Sequence, residues 1–207
     1  MCKYYGLAEE CRTKLDDDIN STGSIFRNIC DLFDYLPLAA TINGKILCVH
    51  SGLGENTKSL DDIANVKKPY NIYENGVACD ILWNIPSGST SKEEYTGTNM
   101  TTSLHKRFFD EALVTEFMKN NKINLIIRSH DVLESGFEKI YENKIISVFS
   151  ATNYCGIYNN SGGIIFVKKN SEIQPKILTS DENYSVWNIS KEQMKEYPPS
   201  PLRSFKK

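Results

Sequence analysis

Two of the three histidines in this sequence stand where apolar runs break off into polar loops. Lys45-Ile-Leu-Cys-Val-His50 leads into Ser51-Gly52, and Leu125-Ile-Ile-Arg-Ser-His130 leads into Asp131. A third run, Ile145 to Phe149, passes into Ser150-Ala-Thr-Asn-Tyr-Cys-Gly156. Short apolar runs closed by polar loops read as buried strands. Ligands meet such sheets at the carboxyl ends of the strands, where side chains can be presented without disturbing the hydrogen-bonded ladder. Neutral imidazole is the commonest protein ligand for zinc, iron or manganese, and a strand end holds it at little entropic cost. Three such ends predict one shared site, with His50 and His130 as candidate metal ligands. Either histidine alone reads equally well as a buried imidazole bonded to a backbone carbonyl; the matched contexts favour metal.

Two imidazoles do not complete a catalytic metal site, which takes about three protein ligands and an open position. Asp131 follows His130 but points to the opposite face if the strand continues. Asp80, just ahead of Trp83, reads as readily as a turn group as one lying behind a ligand. Tyr154 could donate a hydrogen bond to a substrate oxygen. Cys155, with His130 as base and Asn153 as orienter, opens a different chemistry, a thiol nucleophile, although no family signature of a thiol hydrolase accompanies it. His105, beside Lys106-Arg107, reads as a solvated surface group.

The elements that must position these groups can be read from periodicity. Residues 1 to 36 predict two helices: Tyr4, Leu7, Ala8 and Cys11 recur at helical spacing, the polar stretch from Asp16 to Gly23 interrupts, and Ile25 to Leu36 resumes until Pro37. Leu38 to Ile42 and Ile46 to Val49 flank Asn43-Gly44, whose tolerance of positive φ suits a hairpin turn. Ser59 with Asp62 three residues on predicts a short capped helix. Lys67 to Asn75 reads as irregular, Val77 to Trp83 as apolar again, and Pro86 to Thr102 as the longest loop. Phe108 to Asn120 predicts an amphipathic helix with Phe109, Leu113 and Phe117 on one face. Strands are expected at Phe137 to Tyr141, Ile145 to Phe149, Gly163 to Val167 and Gln174 to Leu178. The predicted fold class is α/β, an α+β sandwich, over residues 1–178, followed by a loose tail over 179–207 containing Pro198-Pro-Ser-Pro201.

At 207 residues the chain can bury one substantial core, and a formal net charge of −2 gives no bias toward nucleic acid or anionic lipid. No basic-then-apolar leader opens it, and no apolar run approaches the roughly 20 residues that cross a bilayer. The six cysteines are scattered with no C-x-x-C pair, which suits reduced thiols and an intracellular setting, cytoplasmic or nuclear. Neither a nucleic-acid nor a membrane partner is expected. Triplets such as Asn20-Ser-Thr22 and Asn183-Tyr-Ser185 read as chance in an Asn-rich sequence.

Taken in order, Tyr5-Gly-Leu-Ala-Glu-Glu-Cys11, Leu36-Pro-Leu-Ala-Ala40, Cys48-Val-His-Ser-Gly-Leu53, Cys79-Asp-Ile-Leu-Trp83, Ile127-Arg-Ser-His130 and Phe149-Ser-Ala-Thr-Asn-Tyr-Cys-Gly156 resemble the phosphoprotein phosphatases. This is the serine/threonine phosphatase family that includes protein phosphatase 1, protein phosphatase 2A and calcineurin. The match covers roughly residues 4 to 178. The resemblance implies a metallophosphoesterase fold, a β-sandwich flanked by helices, present here as its C-terminal half. It also implies a centre of two metal ions, manganese or iron with zinc, that lowers the pKa of a bridging water for in-line attack on phosphorus. His50 matches the ligand of the family's His-Gly-Gly motif and His130 that of its Arg-Ala-His motif, both on one ion. Tyr154 matches the tyrosine beside the phosphate pocket, Cys155 with Asn153 the loop that contacts inhibitors or substrate, and Trp83 and Arg128 stand behind the ligands. Phosphoprotein substrates and regulatory subunits are the implied partners.

The departures carry equal weight. The Asp-x-His, Asp-Arg-Gly and Asn-His-Glu motifs, which supply most metal ligands, the acid histidine and one phosphate-binding arginine, are not found. Thr101-Thr-Ser-Leu-His-Lys106 stands where a second arginine is expected, with Arg107 out of register. Trp83-Asn-Ile-Pro86 replaces Trp-Ser-Asp-Pro, and Ser51 follows His50 where glycine is usual. The expectation is that this chain alone is inactive, either as part of a longer natural protein or as a relative kept for binding. Half a sandwich is also expected to expose apolar surface and to be poorly soluble alone.

Overall fold

Helix-breaking acidic and glycine residues, rather than hydrophobic contrast, set the boundaries of the first elements. The computed structural model describes residues 2–3, 6–70, 75–87, 108–156 and 158–179. Most of the long loop, with His105 and Arg107, and the tail from 180 onward lie outside these. The described residues divide into a small unit, up to Leu36 together with Lys68–Tyr70, and a larger one holding the rest.

In the small unit, α1 (Leu7–Leu15) ends where Asp16 takes a left-handed φ of 51°. The polar break that follows is a cap. The Asp17 carboxylate accepts from the Ser24 hydroxyl and from the Ile25 and Phe26 N–H groups, each at 2.9 Å, and so neutralises the open end of α2 (Ile25–Phe33). The helix stops at Phe33, short of the expected Leu36, because single-turn bonds from Tyr35 to Leu32 and from Leu36 to Phe33 tighten the chain before Pro37. No residue of α2 is buried, and Ile25, Leu32, Phe33, Tyr35 and Leu36 are exposed.

The larger unit is built on a five-stranded sheet with β1 (Ala39–Ile42), β2 (Ile46–Val49), β5 (Leu125–Arg128), β6 (Phe137–Ile140) and β7 (Ile145–Val148), in the order β1-β2-β5-β7-β6. The centre, β2-β5-β7, is parallel and both edges are antiparallel. Asn43 and Gly44 turn the first hairpin at φ of 52° and 62°. Register places Ile46 beside Leu125 and Ile127 beside Ile146. Ile46, Leu125 and Ile146 form a core against which Ile165, Val167 and Ile173 pack from a second layer, the hairpin β8 (Gly162–Val167) and β9 (Ile173–Leu178). Ile164 and Phe166, on the outward face of that hairpin, are exposed, and so is Ile177 at its end.

Alternation sends Leu47, Val49, Ile126, Arg128, Ile145 and Ser147 to the other face, where all six are buried. The elements joining β2 to β5 are α3 (Leu60–Ala64), α4 (Val77–Trp83), the short parallel pair β3 (Ile85–Pro86) and β4 (Phe108–Phe109), and α5 (Glu111–Asn121). Ser59 and Asp62 form the expected capping box on α3. The helix expected from Phe108 begins instead at Glu111. Asp110 caps it by accepting the Leu113 N–H at 2.9 Å, while Phe108 and Phe109 pair with Ile85 and Pro86.

Candidate active site

The loop leaving β2 is laced to α4 before it goes anywhere else. The Ser51 N–H bonds the Ile81 carbonyl at 2.8 Å, and the Ser51 hydroxyl bonds the Asn84 carbonyl at 2.8 Å. Gly52 and Gly54 allow this approach: a Cβ on Gly52 would lie 2.2 Å from the Phe109 ring, and one on Gly54 would lie 2.3 Å from the Asp80 carboxyl carbon. Asp80 is buried and accepts four hydrogen bonds, from Asn56 N–H at 2.9 Å, Asn56 Nδ2 at 3.2 Å, Thr57 Oγ1 at 3.1 Å and Asn84 Nδ2 at 3.1 Å. Asp80, within α4, thus ties this loop to that helix.

His50 leaves the end of β2 and His130 follows the end of β5, and their rings meet edge to face with centroids 5.1 Å apart. His130 Nδ1 lies 3.1 Å from His50 Nε2. The Ser129 N–H bonds the His50 carbonyl at 2.9 Å, joining the two segments through the backbone as well. Trp83, at the end of α4, lies edge-on to His130 with ring centroids 6.0 Å apart. Its indole N–H is buried and has no hydrogen-bond partner among the described residues.

Arg128 and Asp131 stand behind the histidines. Both side chains are fully buried, with Nη1 2.6 Å from Oδ2. Arg128 also donates from Nη1 to Ser147 Oγ at 3.0 Å and from Nε to the Ser51 carbonyl. Asp131 does not point away, because β5 ends at Arg128 and the chain reverses at His130. Burial lowers the pKa of His50 below the ordinary imidazole value, the Arg128 charge adds to this, and Asp131 opposes it. The ring is therefore held neutral near pH 7, with a lone pair available.

Two nitrogens each about 2.05 Å from one zinc-like ion lie about 2.9 Å apart at a right angle and about 3.3 Å apart at the tetrahedral angle. The observed 3.1 Å falls between these limits. In the bare chain the same distance is a hydrogen bond that needs a proton on one of the facing nitrogens, and an ion would take that proton's place. The donor pair thus fits half of a metal coordination sphere. Among the described residues, no group of three or more His, Cys, Asp or Glu side chains could hold a metal.

The loop after β7 carries Asn153 and then a 3-10 turn, Tyr154–Gly156, with Cys155 at a φ of 56°. Tyr154 is half-buried, edge-on to Phe149 at 5.1 Å between centroids. Burial and the neighbouring Cys155 thiol raise the phenol's pKa, so it remains a proton donor. Asn160 shapes the loop: buried, it accepts the Tyr154 N–H at 2.9 Å, donates to the Ala151 carbonyl at 2.7 Å, and receives the Asn153 N–H on its own carbonyl at 2.9 Å. Sequence reading did not single out Asn160, whose neighbourhood carries only the composition of a turn. In the sequence Ser51 and Asn84 are visible only as departures from a motif; the bond that joins them exists only in the fold. None of the six cysteines, Cys155 included, forms a disulfide.

A family model described as calcineurin-like phosphoesterase matches residues 8–134, more than half of the chain. Among solved structures, the chain is similar to a protein serine/threonine phosphatase from Saccharomyces cerevisiae described as having similarity to human phosphatase PP5. The TM-score is 0.70 at 27% sequence identity, covering 89% of this chain and 58% of that one. The chain thus spans less than two thirds of the length of that relative.

Proposed function

Because the chain belongs to the calcineurin-like phosphoesterase family, we propose that it is part of the catalytic domain of a phosphoprotein phosphatase acting on phosphoserine and phosphothreonine in proteins. The observation that carries this reading is the 3.1 Å approach of His130 Nδ1 to His50 Nε2, two imidazole nitrogens brought together beyond neighbouring parallel strands. In this proposal the two rings hold one ion of a two-metal centre drawn from manganese, iron and zinc. Such ions neutralise phosphoryl oxygens and make water acidic enough to act as a nucleophile near pH 7. The chain's own residues bind and orient. His50 and His130 fix the ion, Trp83 walls the His130 ring, and Tyr154, kept protonated, donates to a phosphoryl oxygen of the substrate. Cys155 and Asn153 border the substrate on the same loop. Phosphoproteins are the proposed substrates and regulatory subunits the proposed partners.

A second reading, a binding module without chemistry, is favoured by one observation: no third metal-binding side chain joins the two histidines among the described residues. On either reading the 207 residues alone turn over no substrate. The test has two arms. Zinc titration of the chain, followed through the ring signals of His50 and His130, is expected to perturb both, and to lose the effect in His130→Ala. The protein at its natural length is then assayed for manganese-dependent release of phosphate from a phosphopeptide. Release abolished by His130→Ala and by chelator selects the enzyme; metal binding without release selects the binding module; absence of zinc binding refutes the metal site itself.

A further inference from the structure

Arg128 is the largest side chain buried completely in the described residues, and a guanidinium in such a place must be matched by acceptors. Its acceptors are not scattered. Nε donates to the carbonyl of Ser51, the residue after His50, and Nη1 pairs at 2.6 Å with the carboxylate of Asp131, the residue after His130. Ser147 Oγ, on the next strand, accepts a hydrogen bond from Nη1 at 3.0 Å. One planar fork therefore grips the chain immediately beyond each imidazole.

The grip matters because His130 sits in an uncommon turn. Its φ is 73°, and the Asp131 N–H bonds back to the Ser129 carbonyl at 3.0 Å, a three-residue γ-turn of the rarer, strained hand. A histidine does not adopt this conformation unaided, and it persists only when surrounding contacts over-determine it. The buried pair with Arg128 supplies such a contact at Asp131. The bond to Ser51 holds the other segment.

We infer that Arg128 and Asp131 form a clamp whose role is to set the separation of the two imidazoles, making Arg128 a positioning residue for the ligand pair. The clamp rests on the metal reading for its purpose, but its geometry can be tested without metal. Arg128→Lys keeps a positive charge for Asp131 but lacks the Nε–H that holds the Ser51 carbonyl. The double variant Arg128→Met with Asp131→Leu removes the pair together, leaving no stranded charge, which is the form of substitution that preserves stability.

The 207-residue chain and both variants are examined by amide spectra for retention of the fold and by cross-relaxation between the His50 and His130 ring protons for proximity. Zinc competition then gives the affinity. The expected result is a native amide spectrum with the ring-to-ring signal lost and zinc affinity down by about 10- to 100-fold, the usual loss when a group supporting a metal ligand is removed. If the double variant fails to fold, Arg128→Lys carries the comparison. A folded variant that keeps the ring-to-ring signal and binds zinc within twofold of wild type overturns the clamp and leaves the proposed function standing. If the wild-type rings are close but bind no zinc, the metal reading fails while loss of the signal in the variants still upholds the clamp.

Discussion

Asp80 offers the sharpest test of how the loop beyond His50 is held. Its carboxylate is 1% exposed and has four hydrogen-bond donors, all of them neutral. Oδ2 receives the Asn56 N–H and the Thr57 hydroxyl, and Oδ1 receives the side-chain amides of Asn56 and Asn84. In Asp80→Ala, the Asn84 amide keeps its bond to the Leu53 carbonyl at 3.0 Å, but the Thr57 hydroxyl and the Asn56 N–H lose their acceptor. Two stranded donors cost about 1–3 kcal/mol each, offset in part by no longer burying a charge without a cation, so a net loss of about 3 kcal/mol is expected. Asp80→Asn keeps the shape and one oxygen but sets an NH2 group against two donors. About 1.5 kcal/mol is the expected loss there. Urea denaturation followed by circular dichroism, with the slope unchanged, measures both. If Asp80→Asn equals or exceeds wild type in stability, the cost of burying the charge outweighs its bonds and the reasoning is refuted; it is refuted equally if Asn proves worse than Ala.

Two further expectations test neighbouring parts of the structure. Gly52→Ala forces a Cβ to within 2.2 Å of the Phe109 ring and 2.5 Å of the Asn84 carbonyl; overpacking of this kind costs about 1–3 kcal/mol, read as a lowered Tm together with perturbed His50 ring signals, and an unchanged melt would show that the loop has slack. Asp17 tests pH dependence. Burial is the largest single influence on it and pushes its pKa up, but the Phe26 and Ile25 N–H groups and the Ser24 hydroxyl together outweigh burial and hold the folded value below the ordinary one. Its contribution to stability is therefore complete above the unfolded value of about 4 and is lost as pH falls through the folded value. Helicity titrated below about pH 4 is expected to fall steeply in wild type and more shallowly in Asp17→Asn; parallel curves would refute the cap.

Most of the sheet was legible because its signals are local. Asn43-Gly44 between apolar runs names its own turn, and buried runs such as Leu125-Ile-Ile127 leave little choice but a central strand. Ser59 with Asp62 gave the α3 cap for the same reason. What failed was decided by contacts across the chain. Phe109, Leu113 and Phe117 have helical spacing, yet Phe109 is taken into a two-residue strand beside Pro86, too short to leave a period of its own. Asp131 could not be placed, because no residue type around His130 announces a positive φ. The convergence of His50 and His130 was readable as an expectation from matching strand ends; the bonds from Ser51 to Asn84 and from Asn160 across its loop were not, since each joins groups whose partners only the folded chain brings near.

The register of the sheet shows how much of the histidine pairing depends on that one turn. Cys48 is level with Ile127 in the parallel ladder, so His50 would be level with residue 129 if both strands ran on. A straight β5 would carry His130 one residue further, about 3.3 Å along the strand, and would point its ring to the opposite face from His50. The imidazoles would then lie on different sides of the sheet. The reversal at His130 removes both faults at once: it halts the advance along the strand and brings Nδ1 round to within 3.1 Å of Nε2. Two histidines at the ends of neighbouring strands are therefore not enough to make a shared donor pair. The pair exists because the chain turns back at a residue that resists turning, and the group positioned to enforce that turn is the buried carboxylate of Asp131, held by Arg128.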